Sequence, residues 1–164
     1  MFDKFGNLEG ADEINELARN LLKEGDTESI RALAKENGLD PALADEFITG
    51  GMDILCDDMG AAIGKLDIEA GELKLKGIMN DWLDYLKSRC FESEEVAKAV
   101  RRKDRNLEGA VAALLKWSFK SENQYSIPDQ IKKAAGVTAG KVTLGIPDMG
   151  TAKRIMEEYY GGRA

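Results

Sequence analysis

Apolar residues recur at helical spacing along almost the whole chain, and glycines cut that repeat into short lengths. Ile14, Leu17, Ala18, Leu21 and Leu22 fall at i, i+3, i+4, i+7 and i+8, the stripe of one buried helix face. Gly25 ends this helix, and Asp26 is placed to cap a second that carries Ile30, Leu33 and Ala34 inward and stops at Gly38. Asp40-Pro41 reads as an N-cap followed by a proline in the first turn. Leu43, Phe47 and Ile48 form the buried face of this third helix, and Gly50-Gly51 stops it. Three short helices so spaced predict an antiparallel cluster with tight turns.

A fourth helix is expected over about 52–66, burying Leu55, Met59, Ala62, Ile63 and Leu66, with Gly71 as an interruption beyond it. The fifth buries Ile78, Met79, Trp82, Leu83 and Leu86. Ser93 caps a sixth, with Glu94 and Glu95 in its first turn and Arg101 to Lys103 in its last. The seventh follows Asn106 and buries Ala110, Val111, Leu114, Leu115 and Trp117 or Phe119. Trp82 and Trp117 read as core anchors. After Pro128 a short helix carries Ile131, and a last one carries Ala152, Ile155, Met156 and Tyr159. Residues 141–146 alone have strand composition. The expected fold is all-α, a multi-helix domain of eight or nine short helices with at most one short extended piece.

Composition narrows the chemistry. The chain of 164 residues has no histidine and two cysteines, Cys56 and Cys90. Without histidine there is no Ser-His or Cys-His mechanism, and the commonest metal ligand is missing. Two distant cysteines make neither a disulfide framework nor a zinc site and read as buried, reduced thiols. No catalytic, metal or cofactor motif emerges, so a non-enzymatic role is expected. No apolar run approaches the ~18 residues of a membrane span. The first residues lack the basic-then-apolar order of a signal peptide, so a cytoplasmic location is expected.

Charge is unevenly divided. Residues 1–95 hold 23 Asp/Glu against 10 Lys/Arg, a net of −13, whereas residues 96–164 hold 7 against 13, a net of +6. An acidic helical half and a basic helical half are expected to share one globular domain. On the first helix Glu16 is spaced to pair with Arg19. Asp53 and Asp57 stand four residues apart with no cation on their row, and with Asp45, Glu46 and Asp58 they form the densest uncompensated acid in the chain. These five are the candidate contacts to a basic protein surface, where complementary charge raises association rate and fixes orientation.

The alternative is nucleic-acid binding by the basic half, through Arg101, Arg102, Lys103, Arg105, Lys132, Lys133 and Lys153. The run Ala135–Thr143 fails as a phosphate loop, its Gly136 and Gly140-Lys141 being one residue too close. The same run resembles the turn and recognition-helix start of bacterial repressors, although Lys132 replaces a small residue and Gly145 and Pro147 would break the second helix. Residues 146–155 resemble a helix-hairpin-helix shortened by about two residues.

Met1 to Gly6, Leu115 to Lys120 and Val142 to Pro147 together resemble a group of small acidic helical proteins carried on phages and conjugative elements of clostridial gut bacteria. Proteins of that setting often act against host defence, and some inhibit the RNA-guided nuclease of type II CRISPR systems. The resemblance implies such a nuclease as partner, since its nucleic acids lie in a positively charged channel.

Overall fold

Capping side chains and left-handed glycines set the lengths of the first helices. In the computed structural model, which describes residues 4–161, α1 (Ala11–Glu24) ends at Gly25, whose φ of 75° turns the chain so that the Asp26 amide bonds back to the Leu21 carbonyl at 2.9 Å. The Asp26 carboxylate accepts from the Ser29 amide at 3.0 Å and opens α2 (Thr27–Glu36). Asp40 accepts from the Ala42 amide at 2.9 Å, and Pro41 leads α3 (Pro41–Ile48). Ile14, Ala18, Ile30, Leu33, Phe47 and Leu55 close a first apolar core among these helices.

The fourth helix departs from its sequence reading at both ends. It runs Asp58–Leu73 as α4, so residues 52–57 are loop. Asp57 ends the loop as N-cap, accepting from the Gly60 amide at 2.6 Å. Leu55 is buried nonetheless, because the Asn15 side chain on α1 takes over the loop backbone. Its oxygen accepts from the Leu55 and Cys56 amides at 2.8 and 3.1 Å, and its nitrogen donates to the Cys56 carbonyl at 2.8 Å. Gly71 does not interrupt α4; Lys74, in the left-handed region at φ 52°, ends it.

Four further helices, α5 (Ile78–Glu92), α6 (Glu94–Arg101), α7 (Leu107–Ser118) and α9 (Met149–Gly161), pack with the second half of α4. Ser93 caps α6 and Asn106 caps α7, as their positions predicted. Leu66, Trp82, Leu86, Val100, Leu114 and Met156 are buried in this second core. The two cores meet inside α4, where Ala61 belongs to the first and Ala62 to the second. Residue 95 therefore falls within the second lobe, and α4 is the boundary.

Between α7 and α9 the chain contributes to neither core. It makes a 3₁₀ turn (Ser121–Asn123), β1 (Tyr125–Ser126), α8 (Asp129–Ala134) and β2 (Thr143–Leu144). β1 and β2 pair antiparallel, Tyr125 opposite Leu144 and Ser126 opposite Thr143, and the Ile127 amide adds a bond to the Val142 carbonyl at 2.9 Å. No residue from 115 to 146 is buried. Leu115, Phe119 and Ile131, placed inward by periodicity, are exposed, and Ile78 on α5 is too. The repressor-like reading also fails, because no helix follows Gly136 until α9. The helix-hairpin-helix reading lacks its first helix, and Asp148 simply caps α9 by accepting from the Thr151 amide at 2.9 Å. Nine α-helices and one two-stranded ladder among the described residues make the fold all-α. No helix among them is long and apolar enough to cross a membrane.

Candidate functional site

Charge follows the division of the cores. Residues 4–60 hold 14 Asp/Glu against 5 Lys/Arg, a net of −9, while residues 61–161 hold 15 against 17, a net of +2. The acidic excess thus sits on a lobe with its own interior, α1–α3 and the loop after them. Most of its carboxylates lie on the surface, where partial screening by water leaves them able to steer a charged partner.

The five candidate acids divide by local structure. Asp45 on α3 accepts from the Arg31 guanidinium at 2.9 Å, and Arg31 also reaches Glu28 at 2.8 Å. Asp57 is spent on the α4 cap, and half-buried Asp58 lies 3.5 Å from Lys98. Glu46 and Asp53 are exposed and make no ion pair among the described residues. The Gly51 amide bonds back to the Glu46 carbonyl at 2.8 Å, folding the loop that carries Asp53 against the end of α3. Asp53 and Asp57 do not share a helical row, since α4 begins after both. Glu16 and Arg19 are exposed and form no ion pair among the described residues, so the pairing their spacing allows is not made.

The seven cations of the alternative reading are dispersed. Arg101 is a correction: 1% exposed, it lies between the lobes and donates to the Asn37 side-chain oxygen at 2.7 Å. Burial lowers its pKa, opposed by the nearby Cys56, Glu69, Glu13 and Glu9. Arg102 forms a two-pronged contact with Asp104 at 3.0 and 2.8 Å, and Lys103 crosses to Glu13 on α1 at 3.4 Å. Arg105 donates to the Tyr159 carbonyl at 2.7 Å, and Lys153 stands 4.8 Å over the Tyr85 ring. Lys132 pairs with Asp129 at 2.7 Å, which leaves Lys133 and Lys153 as the exposed cations of the set with no ion pair among the described residues.

A buried polar network on α4 was not visible as such in the sequence. Lys65 and Glu69, one turn apart on the buried face of α4, are 1% and 4% exposed. The Lys65 ammonium donates to the carbonyls of Val100, Arg102 and Arg105 at 3.0, 2.6 and 2.6 Å, gathering the end of α6 and the turn after it. Glu69 accepts from the Leu107 amide at 2.7 Å, at the start of α7. Burial moves both groups toward neutrality: the Lys65 pKa falls to about 8, and that of Glu69 rises despite the Leu107 amide and Lys65. The available signal was an i, i+4 Lys–Glu pair set within the apolar rows of α4.

Both cysteines are buried and unpaired with one another, and burial pushes Cys56 up to about 12 and Cys90 to about 11. Neither is a thiolate nucleophile at neutral pH. Among the described residues no group of three or more His, Cys, Asp or Glu is placed to hold a metal ion. A groove of about 400 Å³ between α5, α6 and α9 has Arg89 and Arg154 on its rim. These are held by Glu92 at 2.7 Å and Glu158 at 2.9 Å, so the groove offers no free cation pair to an anion. No protein-family model, no curated protein and no solved structure matches this chain.

Proposed function

We propose that this chain is a non-enzymatic, cytoplasmic interaction protein of a mobile element, which presents its acidic lobe to a basic surface on a nucleic-acid-binding defence nuclease. The carrying observation is the net −9 concentrated on α1–α3 and the loop that follows. Within that lobe Glu46 and Asp53 are exposed and unpaired among the described residues, so they can meet a partner without breaking an internal contact. A carboxylate-rich helical face competes with phosphate for a positively charged channel, chiefly by raising the association rate. The resemblance to mobile-element proteins points to an RNA-guided nuclease of type II CRISPR systems as that partner.

The dispersal of Arg101, Arg102, Arg105 and Lys153 into internal contacts weighs against the alternative, a DNA-binding accessory role for the C-terminal half. The two readings separate in one experiment. The full chain is titrated against the guide-loaded nuclease and against bare duplex DNA, at low and high ionic strength. Salt-sensitive inhibition that is lost in Glu46→Lys/Asp53→Lys supports the acidic lobe. Undiminished inhibition by that variant, or retention by DNA alone, sinks it.

A further inference from the structure

Residues 119–147 form an ordered arm that lacks a core of its own. Its backbone is held by the β1–β2 ladder and by a closed turn at the end of α8, where the Val137 amide returns to the Lys132 carbonyl at 2.9 Å. Yet Phe119 is 74% exposed, Ile131 58% and Tyr125 53%, large apolar side chains that belong to neither core. The arm is also basic, with Lys120, Lys132, Lys133 and Lys141 against Glu122 and Asp129. No hydrogen bond or ion pair joins it to α1–α3 of its own chain.

We propose that this arm docks on the acidic lobe of a second copy of the chain. Three observations select that occupant. The arm is basic and the lobe carries −9, so a second copy supplies the complementary charge. The lobe also offers apolar surface beside its acids: Ile54 is 41% exposed next to Asp53, and Leu22 is 36% exposed on the last turn of α1. Finally, the arm provides the ~20–30 residues that one side of a standard interface uses. Reciprocal exchange, each arm on the other copy's lobe, closes the assembly at two.

The dimer would cover the same Glu46 and Asp53 face that the nuclease reading uses, so inhibition is read on the Phe119→Ser/Ile131→Ser variant, whose acidic lobe is intact. A monomeric wild type that inhibits overturns only the dimer, and a wild-type dimer whose arm variant is monomeric yet fails to inhibit overturns only the inhibitor. The test is analytical ultracentrifugation of the full chain at low and high salt, with circular dichroism to confirm helix content in each variant. Wild type is expected at twice 18.0 kDa, shifting toward monomer as salt rises. Truncating one buried anchor costs about tenfold in affinity, so Phe119→Ser/Ile131→Ser is expected to be monomeric. Glu46→Lys/Asp53→Lys and Lys133→Glu/Lys141→Glu should each be monomeric alone and pair when mixed, because each then supplies the charge the other lacks. A monomeric wild type overturns the proposal, as does a dimer that survives the arm variants. So does a monomer whose arm is instead retained by DNA or anionic vesicles.

Discussion

Lys65 and Glu69, one turn apart on α4, address opposite poles of two successive helices: the ammonium gathers carbonyls at the end of α6, and the carboxylate takes the first amide of α7. Both signs suit the helix dipoles, positive charge at a C-terminal end and negative at an N-terminal one. The carboxylate and ammonium are 3.9 Å apart, so each also offsets the burial of the other.

Removing one member alone strands the rest. Lys65→Met leaves three carbonyls and the Glu69 carboxylate without their cation, and is expected to cost about 3–5 kcal/mol in urea denaturation. In Lys65→Met/Glu69→Gln the loss is expected to be smaller than the sum of the single losses. Additive losses would show that the two groups act independently.

Alkaline pH should unfold the protein through its thiols. Cys56 at about 12 and Cys90 at about 11 hold their protons in the folded state, while the unfolded thiols release theirs near 8.5. The folded state then binds more protons, so stability falls with rising pH, by about 1.4 kcal/mol per pH unit for each thiol. Lys65, lowered to about 8, has the opposite sign, because the unfolded chain holds its proton up to about 10.4. Two thiols outweigh one lysine, so stability is expected to fall between pH 8.5 and 10 and to rise there in Cys56→Ala/Cys90→Ala. Chemical denaturation at stepped pH reads both slopes.

Backbone approach makes two glycines of one helix behave oppositely. A Cβ on Gly64 would stand 2.1 Å from the Asn37 carbonyl oxygen, where α4 crosses the end of α2. Gly64→Ala must push the two apart and is expected to cost about 2–4 kcal/mol, in the range of severe packing lesions. Gly71 has nothing within 4 Å of that position, so Gly71→Ala is expected to stabilise by about 0.5–1 kcal/mol. Thermal melts of the two variants should move in opposite directions.

The acids after α3 divide in the same way. Asp57→Ala removes the α4 cap and is expected to cost about 1 kcal/mol. Asp53→Ala should leave stability within about 0.5 kcal/mol, since its side chain is exposed and unpaired among the described residues. A large loss at Asp53 would give it a structural role that its surroundings do not show.

What could be read from the sequence was what short range decides. Asp26, Asp40, Ser93 and Asn106 cap helices because each bonds an amide two or three residues on. The start of α4 was hidden because Leu55 continues a helical period while being buried by a side chain 40 residues earlier, Asn15. Arg101 looked like one of three surface cations, and only the approach of Asn37, at the end of α2, to the end of α6 makes it internal. Phe119 and Ile131 carry the apolar signal of a core, but they are exposed and belong to neither core among the described residues. The acidic excess was legible at once; its confinement to one lobe required knowing where α4 begins and which core each of its turns serves.

That shared helix has a consequence for how the molecule comes apart. Ala61 and Ala62 are both fully buried, in different cores, on consecutive positions of one helix. Neither lobe can open without stripping one side of α4, and the turns around 61–66 are packed against both. Amide hydrogens there should exchange only when the entire molecule unfolds, so the acidic and basic halves melt in a single step.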